Sequence, residues 1–248
     1  MRILPAVELA EAAYRIHGDR RSWYEIARTD GVGGLVTTAE MRKVYKDTFV
    51  RSAGTRSIYD AIKKLPENDI CPLCGQRTVS TLDHYLPQSG HPALVVTAIN
   101  LVPACSDCNK IKLAKLANCE VDQTLHPYFD SIDHDRWLFA TVQESAPAAL
   151  VFWVAPPESW GEVIFHRIDA HFREFELGKL YASHSAVELG NIRYGLQQIA
   201  TAGSVAMIKQ HLRREAASRS MSHPNSWQRA TYEALADSDW FCNGGFAF

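Results

Sequence analysis

The sequence predicts an α+β protein in which one β-rich stretch, residues 71–117, is set between two mainly helical regions. Three observations carry this. Apolar residues recur at helical spacing through residues 1–70 and again from about residue 160 onward. Between 71 and 117, Cys, Pro, Gly and Asn punctuate short β-like runs. Two further strand-like runs, "WLFATVQ" and "AALVFWVA", follow, joined by a short loop containing Pro147.

In the N-terminal region, "PAVELAEAAYRIH" has the spacing of an amphipathic helix. "TTAEMRKVYKDTFVR" opens with Thr37 three residues before Glu40, a capping-box pattern. "TRSIYDAIKKL" is a third segment, stopped by Pro66. In the β-rich stretch, "TVSTLDHYL" and "INLVPA" read as strands and "SDCNKIKLAKL" as a helix, with a long loop over 88–98. Beyond residue 160 the chain reads as helices, with Gly178, Gly190, Gly195 and Gly203 as break points. The expected organisation is a helical region over 1–66, a central core over 67–130, and a hairpin plus helices over 131–248.

The totals bound the function. A chain of 248 residues, 46% hydrophobic and 22% charged, is ample for a buried core. No apolar run approaches the ~20 residues of a membrane span, and Glu8 interrupts the apolar N-terminal stretch that a secretion signal requires. The expectation is a cytoplasmic protein with no membrane partner. The net charge of −2 argues against a surface that is basic overall, so any nucleic-acid contact must come from a local patch.

Six cysteines in such a compartment read as metal ligands or free thiols. Cys71 and Cys74 form one CxxC and Cys105 and Cys108 a second, with a gap of about thirty residues against the roughly 15–20 of a zinc ribbon. Four thiolates complete a tetrahedral zinc and leave no open position, so the expected zinc is structural. Cys119 and Cys242 have no partner at metal spacing.

Between the pairs lies "TLDHYLPQSG". Asp83 is a hard oxygen ligand suited to Mg²⁺ or Mn²⁺. A neutral His84 can accept a proton from water. Asn109 offers a second oxygen from the predicted helix, and Lys112, three residues on, shares its face and could hold a phosphate. In a regular strand Asp83 and His84 point to opposite faces, so serving one phosphate requires a twist or bulge at the strand end, or a phosphate lying across the strand.

Together, "CPLCG", "LDHYLPQSG" and "INLVPACSDCN" followed by Lys112 resemble the HNH endonucleases, whose core is a ββα-metal finger braced by zinc. The resemblance covers roughly 71–130. It implies that Asp83 and Asn109 bind a catalytic Mg or Mn ion, that His84 is the general base, and that Asn100 braces the loop or orients the His84 ring. It implies hydrolysis of DNA to 5′-phosphate and 3′-hydroxyl ends, with RNA as an alternative substrate. His91 lies in the loop where substrate could pass, although a loop histidine is more often simply solvated. "LHPYFD", with His126, reads as a turn packed on the finger rather than a substrate contact.

Phosphate contacts are expected from Lys110, Lys112 and Lys115, while Arg51, Arg56, Lys63, Lys64, Arg213, Arg214 and Arg219 read as solvated faces. The Trp and Phe residues of 137–175 read as core. The long helical flanks suit docking of a regulatory partner such as an ATPase or sensor, and the resemblance makes anti-phage defence or restriction plausible, with a mobile-element or toxin nuclease as other settings. The alternative to an enzyme is a non-catalytic zinc module that binds nucleic acid or protein.

Overall fold

The computed structural model describes residues 3–247. The chain divides into two compact units, Met1–Asp130 and Ser131–Phe248, each mixing helices with a short antiparallel sheet. Among the described residues no helix is long and apolar enough to cross a membrane.

In the first unit, helix α1 (Leu4–Arg20) carries Pro5 in its first turn, where the fixed φ of proline suits a helix. It ends where Arg21 turns left-handed (φ 55°) and the Arg21 and Ser22 N–H groups donate back to the Gly18 and His17 carbonyls. Gly18 cannot carry a side chain, because a Cβ there would lie 2.4 Å from the Phe129 ring. The "LHPYFD" turn is thereby seated directly on α1.

Strands β1 (Gly31–Val32) and β2 (Val36–Thr37) pair across Gly33 and Gly34, both at positive φ. Thr37 then caps α2 (Thr38–Lys43): its Oγ1 accepts from the Glu40 N–H, and its own N–H donates to the Glu40 carboxylate at 2.8 Å. The helix widens into a π-type turn over Val44–Val50, and α3 (Ala53–Lys63) follows. Tyr59 and Ile62 of α3 pack with Phe49, Leu82 and Leu101. Burial of a large apolar side chain contributes ~1.5–3 kcal/mol, so this cluster anchors the central strands to the N-terminal helices.

Those strands are β3 (Thr81–His84) and β4 (Leu101–Ala104), antiparallel with Thr81 opposite Ala104 and His84 opposite Leu101. Pro103 is tolerated because a two-stranded sheet has only edge strands. Helix α4 (Ser106–Lys112) comes next. It is shorter than "SDCNKIKLAKL" predicts. Leu113 turns to φ 48°, ψ −126°, and its side chain is 70% exposed, so no buried face carries the helix further. Lys115 therefore lies beyond the helix.

In the second unit, β5 (Leu138–Gln143) and β6 (Ala149–Val154) form a hairpin with Leu138 opposite Val154. One face buries Leu138, Leu150 and Phe152. The other stacks Phe139 on Trp153 with centroids 4.9 Å apart, and Trp153 is 43% exposed. The core reading thus holds for Trp137, Phe152 and Phe175 but not for Trp153 or Phe165, which are both exposed. Helices α5 (Gly161–Glu174), α6 (Leu177–Ala202), α7 (Val205–Ser222) and α8 (Trp227–Asp237) complete the unit. Of the expected glycine breaks only Gly203 ends a helix. Gly178 is the second residue of α6, just after the break between α5 and α6, and α6 runs through Gly190 and Gly195, because burial of Leu180, Tyr181 and Leu196 outweighs the ~1 kcal/mol that each interior helical glycine costs.

Candidate functional site

The four cysteines Cys71, Cys74, Cys105 and Cys108 converge in the first unit, all buried, with their sulfurs within 4.8 Å of one another. A tetrahedron of Zn–S bonds of about 2.3 Å has edges of about 3.8 Å, so the cluster fits a zinc ion. Backbone turns shape it. The Gly75 N–H donates to the Cys71 carbonyl at 2.8 Å with Gly75 at φ 60°, and the Cys71 N–H donates to the Arg77 carbonyl. Cys105 caps α4, its sulfur accepting from the Cys108 N–H at 3.4 Å. Its thiol is held well below the ordinary range by hydrogen bonds from Cys108, then Cys71 and Cys74. Arg77 and Asp107 pair at 2.9 Å between the two knuckles. Cys119 is exposed and Cys242 buried, both outside this cluster.

From this brace, β3 presents Asp83 and His84 to opposite sides. Leu82 faces the Phe49–Tyr59 cluster, and His84, two residues on, meets the edge of Tyr45, which packs on that cluster, at 4.6 Å between centroids. Asp83 faces α4, where Lys112 Nζ lies 2.9 Å from its Oδ2. The regular alternation of a strand is therefore kept. Lys112 also donates to the His84 carbonyl oxygen at 2.7 Å. Both side chains of the pair are buried, Asp83 at 4% and Lys112 at 5% exposure. Burial raises the Asp83 pKa, and the Lys112 charge opposes that shift.

His84 Nε2 lies 2.8 Å from the Val95 carbonyl, which can only accept. The neutral ring therefore carries its proton on Nε2 and leaves Nδ1 as a lone pair. Gln88 Nε2 approaches that Nδ1 at 3.1 Å. Burial lowers the His84 pKa to about 4, so the ring is neutral at pH 7.

Asn100 is fully buried, and its hydrogen bonds go to the loop and not to the ring. Its Oδ1 accepts from the Leu86 N–H at 2.8 Å, and its Nδ2 donates to the Leu86 and Leu94 carbonyls, both at 3.1 Å. It thus fastens the loop whose next carbonyl, that of Val95, holds His84. Asn109 is half-buried, and its amide makes no hydrogen bond among the described residues. Lys110 and Lys115 are exposed.

Two histidines differ in their fate. His91 is not solvated: it is 5% exposed, and burial, then the charge of Arg28, lowers its pKa to about 4. His126 is fully buried between Trp23 and Phe129, with Tyr14 Oη 2.8 Å from its Nε2, as a packing residue is. Of the flanking basic residues, Arg51 pairs with Asp47, Arg56 with Asp60 and Arg219 with Glu215. Sequence reasoning did not find Gln88, Tyr45 or the Val95 carbonyl around His84. They come from a loop and a helix with no periodic link to β3.

The chain is 28% identical over 228 aligned positions to protein ea31 of Escherichia phage lambda, spanning 86% of this chain and 77% of that protein. No protein-family model matches the chain. No solved structure matches it.

Proposed function

We propose that this protein is a metal-dependent endonuclease that hydrolyses phosphodiester bonds in DNA. The observation that carries the reading is the state of His84. The Val95 carbonyl fixes its proton on Nε2, and burial keeps the ring neutral, so Nδ1 is a proton acceptor one residue from a buried carboxylate.

The four-cysteine cluster fits a zinc ion that braces β3 and α4 and has no open position for chemistry. The fit of a catalytic divalent ion is leaner. Asp83 supplies one carboxylate and Asn109 one unengaged amide, a set that suits an ion keeping several waters and taking substrate oxygens, as Mg²⁺ does. When bound, such an ion, held by Asp83 and Asn109, would supply positive charge against the anionic transition state.

The chain's own residues do the rest. Because β3 keeps its alternation, the substrate phosphate lies across the strand end. For His84 Nδ1 to take the proton of a water aimed at phosphorus, the Gln88 amide, which donates to that nitrogen at 3.1 Å, gives up its place to the water. Asn100 holds the loop that fixes the His84 ring, and Lys110 and Lys115 offer charge to flanking phosphates. A base with a pKa near 4 is weaker than one poised near 7, and the charge of an approaching phosphate raises it toward that optimum.

The test is cleavage of plasmid and single-stranded DNA by the zinc-loaded chain with Mg²⁺ or Mn²⁺. Loss of cutting in His84→Ala and Asp83→Ala supports the reading; equal cutting by wild type and His84→Ala ends it. An RNA substrate in parallel decides between the two polymers.

One observation favours a second reading, a non-catalytic zinc module that binds DNA or protein. Lys112 already neutralises Asp83, so the carboxylate has a partner without any metal. Unchanged function after Asp83, His84 and Asn109 are all replaced by Ala would select that reading. For the setting, similarity to a phage protein favours a mobile-element nuclease over a defence effector or toxin. Docking of an ATPase or sensor on the helical flanks is tested by pull-down from native cells.

A further inference from the structure

A surface groove of about 580 Å³ lies in the first unit between three loops, residues 28–30, 89–90 and 114–116. We infer that this groove holds the DNA backbone flanking the scissile phosphate, with Arg28 as its phosphate contact. The inference rests on the endonuclease reading for the direction in which the strand leaves.

Position is the first argument. Ser89 directly follows Gln88, whose amide touches His84, and Ala114 is two residues past Lys112, which holds Asp83. Successive Cα atoms are about 3.8 Å apart, so two of the groove walls start within one or two residue lengths of the candidate site. A strand whose phosphate lies across the end of β3 meets this groove next.

The groove is also firm. The Thr29 N–H donates to the Gly90 carbonyl at 2.9 Å, joining two walls, and the Gly90 and His91 N–H groups both donate to the Pro87 carbonyl, at 3.1 and 3.0 Å. Ordered walls spare a ligand the entropy of arranging them.

The third argument is charge. Arg28 lays its stem along Gly90, whose Cβ, if present, would sit 3.4 Å from Arg28 Cγ. Its guanidinium pairs with no carboxylate among the described residues, whereas Arg51, Arg56 and Arg77 of the same unit each have one. Asp30, on the same lip, makes no ion pair with it. The Thr29 and Ser89 hydroxyls can donate to phosphate oxygens, and Gly90, Ala114 and Leu116 leave a small, apolar surface for sugars.

The experiment is fluorescence anisotropy of a labelled DNA oligonucleotide on the full zinc-loaded chain with no added divalent ion, so that binding is read without cutting. Arg28→Gln is expected to weaken binding roughly tenfold and to reduce the salt slope by about one. Asp30→Asn is expected to tighten binding. Unchanged affinity and slope in Arg28→Gln, or the opposite sign in Asp30→Asn, overturns the inference, as does tighter binding of an RNA of the same sequence. The two readings separate cleanly. Cutting that survives Arg28→Gln with unchanged KM removes the groove and leaves the nuclease. DNA binding that needs Arg28, in a chain that never cuts, keeps the groove and removes the nuclease. Failure of the wild type to bind any DNA removes both.

Discussion

Lys112 Nζ lies 2.9 Å from Asp83 Oδ2 and 2.7 Å from the His84 carbonyl oxygen, and all three residues are buried. The ammonium thus neutralises the carboxylate and ties α4 to the end of β3. Any divalent ion reaching Asp83 must displace it or share the carboxylate's other oxygen.

Lys112→Met leaves a buried carboxylate without its partner, and should cost about 3–5 kcal/mol of stability in metal-free buffer. Millimolar Mg²⁺ should restore part of that loss, because an ion can now take the ammonium's place. The double variant Lys112→Met with Asp83→Asn should recover stability without Mg²⁺ and should not respond to it. Urea unfolding of the zinc-loaded chains reads all three. A Lys112→Met chain as stable as wild type would mean that water already reaches Asp83.

His84 and His91 are both held near pKa 4, against about 6.5 in an unfolded chain. The folded state therefore prefers both rings neutral. Their contribution to stability is complete above pH 6.5 and is lost as the pH falls toward 4, by at most about 1.4 kcal/mol per pH unit for each ring. His91→Gln should remove about half of this acid slope between pH 6.5 and 4.5 in a series of denaturant titrations. An identical slope in His91→Gln and wild type would show that His91 titrates as an exposed ring does.

Much of this arrangement is legible in the chain. Thr37 and Glu40 are a local pair, so their spacing alone announces the cap. The CxxC spacing announces two knuckles for the same reason. What pattern does not report is where a long side chain goes once distant segments meet. Helical spacing puts Lys112 on the face of Asn109, yet its four-carbon stem reaches back to β3 and is buried there. His91 looks like a loop residue in sequence and is buried, close enough to Arg28 to feel its charge. The early end of α4 depends on Leu113 finding no apolar partner, a property of the folded surface rather than of the helix.

The four-sulfur cluster predicts one zinc per chain by elemental analysis. Cys105→Ser should lose that zinc and, with it, of order 10 kcal/mol of local folding free energy, so the first unit should melt at room temperature. Cys119→Ser and Cys242→Ser should keep the full complement, since neither thiol belongs to the cluster. Retention of stoichiometric zinc by Cys105→Ser would contradict the four-ligand assignment.

Asn100→Ala removes three buried hydrogen bonds at once and leaves the Leu86 N–H and carbonyl without a partner, while the Leu94 carbonyl keeps the Thr97 N–H at 3.2 Å. Each unsatisfied buried group costs about 1–3 kcal/mol, so the variant should lose at least about 2 kcal/mol. The loss has a second consequence, because Leu94 precedes Val95, whose carbonyl holds the His84 proton on Nε2. Freed from that carbonyl, the ring can take either tautomer. Nitrogen NMR of the imidazole should then show a mixed tautomer population in Asn100→Ala against a single Nε2–H form in wild type. A single Nε2–H form in both would mean that the Val95 carbonyl is held by the chain around it and does not depend on Asn100.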